Sequence, residues 1–139
     1  MSLPAIRAVL EGRLNTWAAA RSPALTVAWQ NVPITPPAGV YLRSFILTGE
    51  TSSDDLAGKH RSYVGSHQIS IVCPTGGGPG AADAITKELE DLFPVALQMV
   101  GTGITVSVAT PVSVSTAVPD EGEYIVPVSF SYRAEVALP

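Results

Sequence analysis

Charge is what this chain has least of. Only 14% of its 139 residues are Asp, Glu, Lys or Arg, against about 25% in an ordinary soluble domain. The eight Lys and Arg form no run, and twelve Asp and Glu outnumber them, for a net charge of -4. Sequence-independent binding to a phosphate backbone needs a basic stripe, so nucleic acid is not the expected partner. Cysteine occurs once, as Cys73, which excludes an intrachain disulfide. In an apolar strand it reads as a small buried hydrophobe. The two histidines, His60 and His67, lack i,i+4 spacing and have no second cysteine near them. A zinc site needs three or four ligands, so no metal is expected. No run of about 18 apolar residues offers a membrane span. The N-terminus lacks a charged region followed by an apolar one, so the chain is expected to be made and kept in a cytoplasm.

What is present is apolar: 46% of the residues are hydrophobic. The length suits one compact domain, residues 1–139. Such a chain buries about two-thirds of the surface its unfolded form exposes, enough for a core without disulfide or metal. With so little charge to cover the outside, apolar surface is left over, and such patches commonly mark partner interfaces.

The pattern runs helix, strands, helix, strands. Ile6, Val9, Leu10, Leu14 and Trp17 recur at helical spacing, with Pro4 in a first turn where it is tolerated. Ser22-Pro23 ends that helix. Leu25 to Gln30 reads as a short strand. Val40 to Leu47 reads as a strand apolar on both faces. The polar stretch from Thr48 to Arg61 has no periodic apolar face and reads as a long loop. Tyr63, His67, Ile69, Ile71 and Cys73 form the core face of a strand from Ser62 to Cys73. A second helix opens at Pro79 or Gly80, with Ile85, Leu89, Leu92, Phe93 and Ala96 as its stripe. Ile104 to Val108 and Val112 to Val118 alternate as strands. A last strand follows, with Tyr124, Val126, Val128, Phe130 and Tyr132 on its apolar face. Pro127 cannot donate to a ladder, which points to an edge or an interrupted strand. The expected fold is α+β: two helices packed on a mixed, mainly antiparallel sheet.

No catalytic cluster interrupts this layout. Gly76-Gly77-Gly78-Pro79-Gly80-Ala81 satisfies the Gly-x-Gly-x-x-Gly/Ala pattern, but no acidic residue ends the next strand, and Pro79 removes a donor where a pyrophosphate would want one. The phosphate-loop pattern fails because no Gly-Lys-Ser/Thr follows. No Gly-x-Ser-x-Gly elbow occurs. The expectation is a protein that is not an enzyme and holds no cofactor. The remaining candidates are Asp54, Asp55, Lys59, His60 and Arg61, opposite charges at the two ends of the long loop. They read either as solvated or as a segment that becomes ordered at an interface.

Four stretches carry a family resemblance: Ile6 to Leu14 with Trp17; Ala28-Trp-Gln-Asn-Val-Pro-Ile-Thr-Pro-Pro-Ala-Gly-Val-Tyr-Leu-Arg43; Tyr63 to Pro74 leading into the glycine-rich helix start and Leu92-Phe-Pro; and Tyr124 to Arg133. Together they resemble a phage and prophage family of small tail proteins related to the tail terminators of long-tailed phages. Trp29-Gln30-Asn31 with Pro33 and Pro36-Pro37 is the most specific part. The resemblance implies an α+β subunit in a ring, usually of six; the free protein is expected either in that ring or as a monomer. That ring caps the tail tube, stops its growth and meets the head-completion proteins. The implied partners are other copies, the major tail-tube protein and head-completion proteins, with assembly in the host cytoplasm and a final place in the virion tail. Two other readings stay open: a head–tail joining or minor capsid protein, and a small ligand-binding domain using the Gly76 to Ala81 loop.

Overall fold

The structure is a computed structural model that describes residues 2–53, 60–120 and 122–137. Helix α1 (Ser2–Ala20) is followed by β1 (Val27–Ala28), β2 (Tyr41–Ser52) and β3 (His60–Pro74). Then come α2 (Gly80–Leu92), β4 (Gln98–Gly101), β5 (Ile104–Val108), β6 (Ser113–Val114), β7 (Val118–Asp120) and β8 (Glu123–Ala137). The sheet order is β1-β2-β3-β8-β5-β4, with β6 and β7 also paired to β8. The β1–β2 pair is parallel and every other described pair is antiparallel. The expected class, two helices on a mixed and mainly antiparallel sheet, is what the chain forms.

Period 2 in the strands decides which side is covered. Leu42, Ile46, Ile69, Ile71, Val126, Val128, Phe130, Val106 and Val108 share one buried face. Both helices lie against it, α1 over β4 and β5 and α2 over β3. Ile6, Leu10, Leu14 and Ala18 of α1 and Ala82, Ile85 and Leu89 of α2 complete the core, with Trp17 packed at its margin. Phe93 ends α2. The proline after it disfavours the helical region, Phe93 adopts φ -121° and ψ 65°, and its N–H still donates to the Leu89 carbonyl. Ala96, read from sequence as part of the helical stripe, lies beyond the helix at φ 69° and is exposed. The chain there is already entering β4, a strand the sequence reading did not separate.

Three other differences have physical causes. The stretch from Thr48 to Arg61 is not a loop throughout: β2 continues to Ser52 and β3 begins at His60. These strands form an arm whose β2 side is exposed from Leu47 to Ser52, so no apolar alternation marks it. Backbone pairing with β3 and β-branched Thr48 and Thr51 sustain it instead. The β8 strand is central rather than an edge. In an antiparallel strand the N–H and C=O of one residue point to the same neighbour, and the Pro127 carbonyl accepts from Ser115 N–H. The missing Pro127 donor therefore faces the break between β6 and β7. The third concerns His67, which the alternation places on a core face and which carries polar ring nitrogens into it. It is fully buried, its Nε2 2.8 Å from the Ser44 hydroxyl, while its Nδ1 finds no partner among the described residues.

Gln30 explains the most specific stretch of the resemblance. β1 ends after Ala28 and leaves the next part of β2 without a neighbour. The Gln30 side-chain carbonyl accepts there from Ile46 N–H at 3.0 Å and from the Arg7 guanidinium at 2.9 Å. Asn31 makes the turn at φ 60°, a left-handed conformation that Asn tolerates better than most residues. One amide thus finishes the sheet edge and ties α1 to it. On β3, Gly65 lies under Tyr132, and a Cβ there would overlap the Tyr132 phenol and the Leu47 carbonyl.

Two stability outcomes follow, both read by chemical denaturation. Leu89 is fully buried, so Leu89→Ala is expected to cost about 2–5 kcal/mol, and a loss below about 0.5 kcal/mol would place it outside the core. Gln30→Ala strips a buried-edge amide of its acceptor and is expected to cost about 1–3 kcal/mol. A neutral result would show that Ile46 N–H is satisfied without it.

Candidate functional site

The chemistry-bearing side chains are dispersed. Among the described residues no group of three or more His, Cys, Asp or Glu could hold a metal, and no helix is long and apolar enough to cross a membrane. Cys73 is buried, and burial pushes its thiol up, away from the reactive thiolate. The glycine loop makes the turn from β3 to α2 through positive φ at Gly76 and Gly78. Beside it lies a pocket of about 250 Å³ walled by Pro74, Thr75, Pro79 and Tyr124. Among the described residues no basic side chain lines it.

His67 is the most perturbed group, and it is structural. Its ring meets Phe93 edge-on at 5.8 Å and Phe130 at 5.6 Å, while the two phenylalanines stack at 4.6 Å. Burial, with a smaller contribution from the Arg7 charge, lowers its pKa to about 3. The neutral ring clamps the end of α2 to β3 and β8.

The five charged candidates separate. Asp54, Asp55 and Lys59 lie outside the described residues. His60 and Arg61 sit in β3, opposite Ala137 and Val136 of β8, and not in a loop. His60 Nε2 is 3.9 Å from a Glu135 carboxylate oxygen. Arg61 donates to the Ser53 hydroxyl at 3.4 Å. Arg133 bonds Glu135 at 2.9 Å and Ser62 at 3.3 Å. Strand pairing therefore gathers His60, Arg61, Arg133 and Glu135 at one end of the arm.

Sequence reasoning missed the apolar residues beside them. On the face away from the helices, Leu47 is 48% exposed and Val64 41% exposed. They line an open trough of about 460 Å³ with Gly65, Ser66, Ser131 and Arg133. The signal was the apolar character of Val40 to Leu47 on both faces, since one face of such a strand must look away from the core.

The chain is thus an α+β protein whose described polar side chains are dispersed, with exposed Leu47 and Val64 at the start of an extended arm. The profile of a family described as phage tail terminator protein matches residues 5–132: the chain belongs to that family and is a structural phage tail protein. A solved structure whose title states no function is 46% identical, with 96% of each chain covered and a TM-score of 0.83. Another, titled virion of native gene transfer agent particle, shares the fold at 21% identity and a TM-score of 0.61, covering 95% of this chain and 96% of that one. None of the curated proteins matches.

The buried imidazole has a measurable consequence. The unfolded chain takes up a proton below the ordinary histidine pKa of 6.5, while folded His67 does so at about 3. Its neutral state thus favours folding fully above pH 6.5, and that contribution is lost as pH falls towards 3. Between pH 7 and pH 5 the unfolding free energy is expected to drop by about 2 kcal/mol. His67→Leu is expected to flatten that interval. An unchanged slope in the variant would assign the pH dependence to other groups.

Proposed function

We propose that this protein caps the phage tail tube, ends its growth and presents a surface to which the head is joined. The family match over residues 5–132 carries the reading. The dispersed chemistry of the described side chains supports a role without catalysis or cofactor. In this reading the subunits act as a ring, of six by family analogy, at the end of a tube of the major tail protein. Head-completion proteins dock on the opposite side, and assembly takes place in the host cytoplasm. The charged candidates Asp54, Asp55, Lys59, His60 and Arg61 make contacts between subunits or against the tube in this reading. Exposed ion pairs contribute about 0–1 kcal/mol each, so such contacts act together across the ring.

The test is inactivation of the gene in its phage, followed by electron microscopy of the lysate. The expected result is tubes of uncontrolled length and heads without tails, both corrected by the intact gene in trans. Tails of normal length that fail to join heads would favour the head–tail joining reading. Tails of normal length joined to heads would overturn both.

A further inference from the structure

The sheet has two edges, and the chain treats them differently. A strand edge presents unpaired N–H and C=O groups on which another strand can form, and proteins guard such edges with charge, bulges or cover. Past β1, the β2 edge is guarded. The Gln30 side chain occupies Ile46 N–H. The register then shifts between Thr48 and Thr51, so the outward groups lose the spacing that a regular strand needs. Glu50 adds an exposed charge at the same place.

The β4 edge has none of these devices among the described residues. Its register, from Gln98 opposite Ser107 to Gly101 opposite Ile104, is unbroken. It contains no proline, and no charged residue occurs from Pro94 to Pro119. The ladder decides which of its groups are free. Val108 N–H donates to the Leu97 carbonyl, so Val108 faces β4. Alternate residues of a strand face the same neighbour. Val106 and Ile104 therefore face β4 as well, and Met99 and Gly101 opposite them point back at β5. Gln98 and Val100 turn their N–H and C=O groups outward, where no described strand lies. Both residues are exposed, Val100 at 81%, and Val95 before them at 51%. The edge is also held in place from behind. Met99 is buried, and a Cβ on Gly101 would stand 2.6 Å from Val9 Cγ2 of α1.

Hydrogen bonding defines what fits such an edge: an extended backbone with its own N–H and C=O groups at strand spacing. Side chains narrow it further. Val95 and Val100 favour aliphatic neighbours, and the stretch from Pro94 to Pro119 gives a charged side chain no partner. Another copy fits poorly. Its β2 edge is guarded, and β4 against β4 joins strands of four residues, a strip far below the roughly 800 Å² per partner of a stable pair. A free segment of another protein is not held to that length and can follow the edge to Val95 and past it. We propose that β4 is a strand-acceptor edge, which takes up an extended, uncharged, aliphatic segment of a different polypeptide. That segment continues the sheet beyond β4 and covers Val100. The edge chemistry is the same whatever place the chain has in the tail. Because β4 is short, the contact is weak on its own.

Titration of the isotope-labelled full-length chain, followed by NMR, tests this. The probe is an acetylated and amidated Thr-Val-Thr-Val-Thr-Val peptide, N-methylated at alternate residues so that one bonding edge remains and the peptide cannot stack into sheets. The control peptide is N-methylated at every residue and has no bonding edge. The expected result is a saturable shift of the Gln98 and Val100 amides with a Kd of about 1 mM or tighter, slowed exchange of both amides, and neither effect with the control. Val100→Pro removes an outward donor that the fold does not use and is expected to abolish binding while the spectrum stays that of a folded chain. Val100→Lys keeps the backbone intact and is expected to weaken binding several-fold; it decides alone where Val100→Pro unfolds the chain. The proposal is overturned by the absence of a saturable shift up to about 5 mM peptide, by shifts centred on Thr48 to Thr51, by binding of the control, or by undiminished binding to Val100→Lys. A concentration-dependent dimer of the free chain that Val100→Pro or Val100→Lys dissociates overturns it too, because the edge then serves a second copy.

Discussion

The pairing of β3 with β8 is the constraint on which the rest depends. The two strands, each of 15 residues, run antiparallel from His60 opposite Ala137 to Pro74 opposite Glu123. One stretch of this ladder carries the core face that both helices cover. The other extends past the core as the spine of the arm. The register places His67 opposite Phe130 and Gly65 opposite Tyr132, and both juxtapositions are needed. The first brings two aromatic groups to where Phe93 closes α2, and the second gives the Tyr132 ring a residue without a side chain to lie across. A slip by one residue would turn every apolar side chain to the wrong face. It would also put Ser66 or Val64 beneath the tyrosine.

Legibility in the sequence followed burial. The two helices and the core faces of β3 and β8 were readable because apolar residues recur there with the right period. The short strands β6 and β7 were not separable, because they are pieces of edge held by two or three ladder positions and leave no periodic trace. The arm was misread for a related reason: a strand paired through its backbone and open to solvent looks polar and irregular, as a loop does. Pro127 misled in a more specific way. A proline argues against a paired position, and Pro127 does lack a donor, but its carbonyl still accepts from Ser115 on the same side and the gap belongs to the neighbouring strand. The Trp29-Gln30-Asn31 element shows the converse. It was recognisable as a pattern, while its reason, an amide that completes a sheet edge and reaches Arg7, became visible in three dimensions.

The scarcity of charge takes on a spatial meaning in the fold. Of the charges that are described, several serve the chain itself. Arg21 grips Glu88 through two hydrogen bonds at 2.7 and 3.1 Å and holds the end of α1 to α2. Arg7, Arg13 and Arg43 each lie over or against groups of their own subunit. The charges left to meet solvent concentrate on α2 and the arm. The outer face of α1 is thereby left uncharged, while the open side of the sheet carries its charges in the pairs Arg43–Glu123 and Arg133–Glu135. A low overall charge is thus not spread evenly: it leaves one helix face clear and keeps the sheet's open side in ion pairs.

That distribution also bears on how the proposed assembly would be held together. Small uncharged faces desolvate cheaply and carry no directional bonds, so a single contact adds little beyond the cost of lost freedom on association. Each additional contact made by an already positioned subunit avoids most of that cost. In the proposed reading, assembly at the end of a finished tube benefits from surfaces too weak to join in free solution and adequate once a template holds several copies side by side. Strong, charge-paired interfaces would assemble off the tube. The uncharged outer face of α1 and the shallow Leu47–Val64 trough have the physical character that the proposed conditional assembly requires.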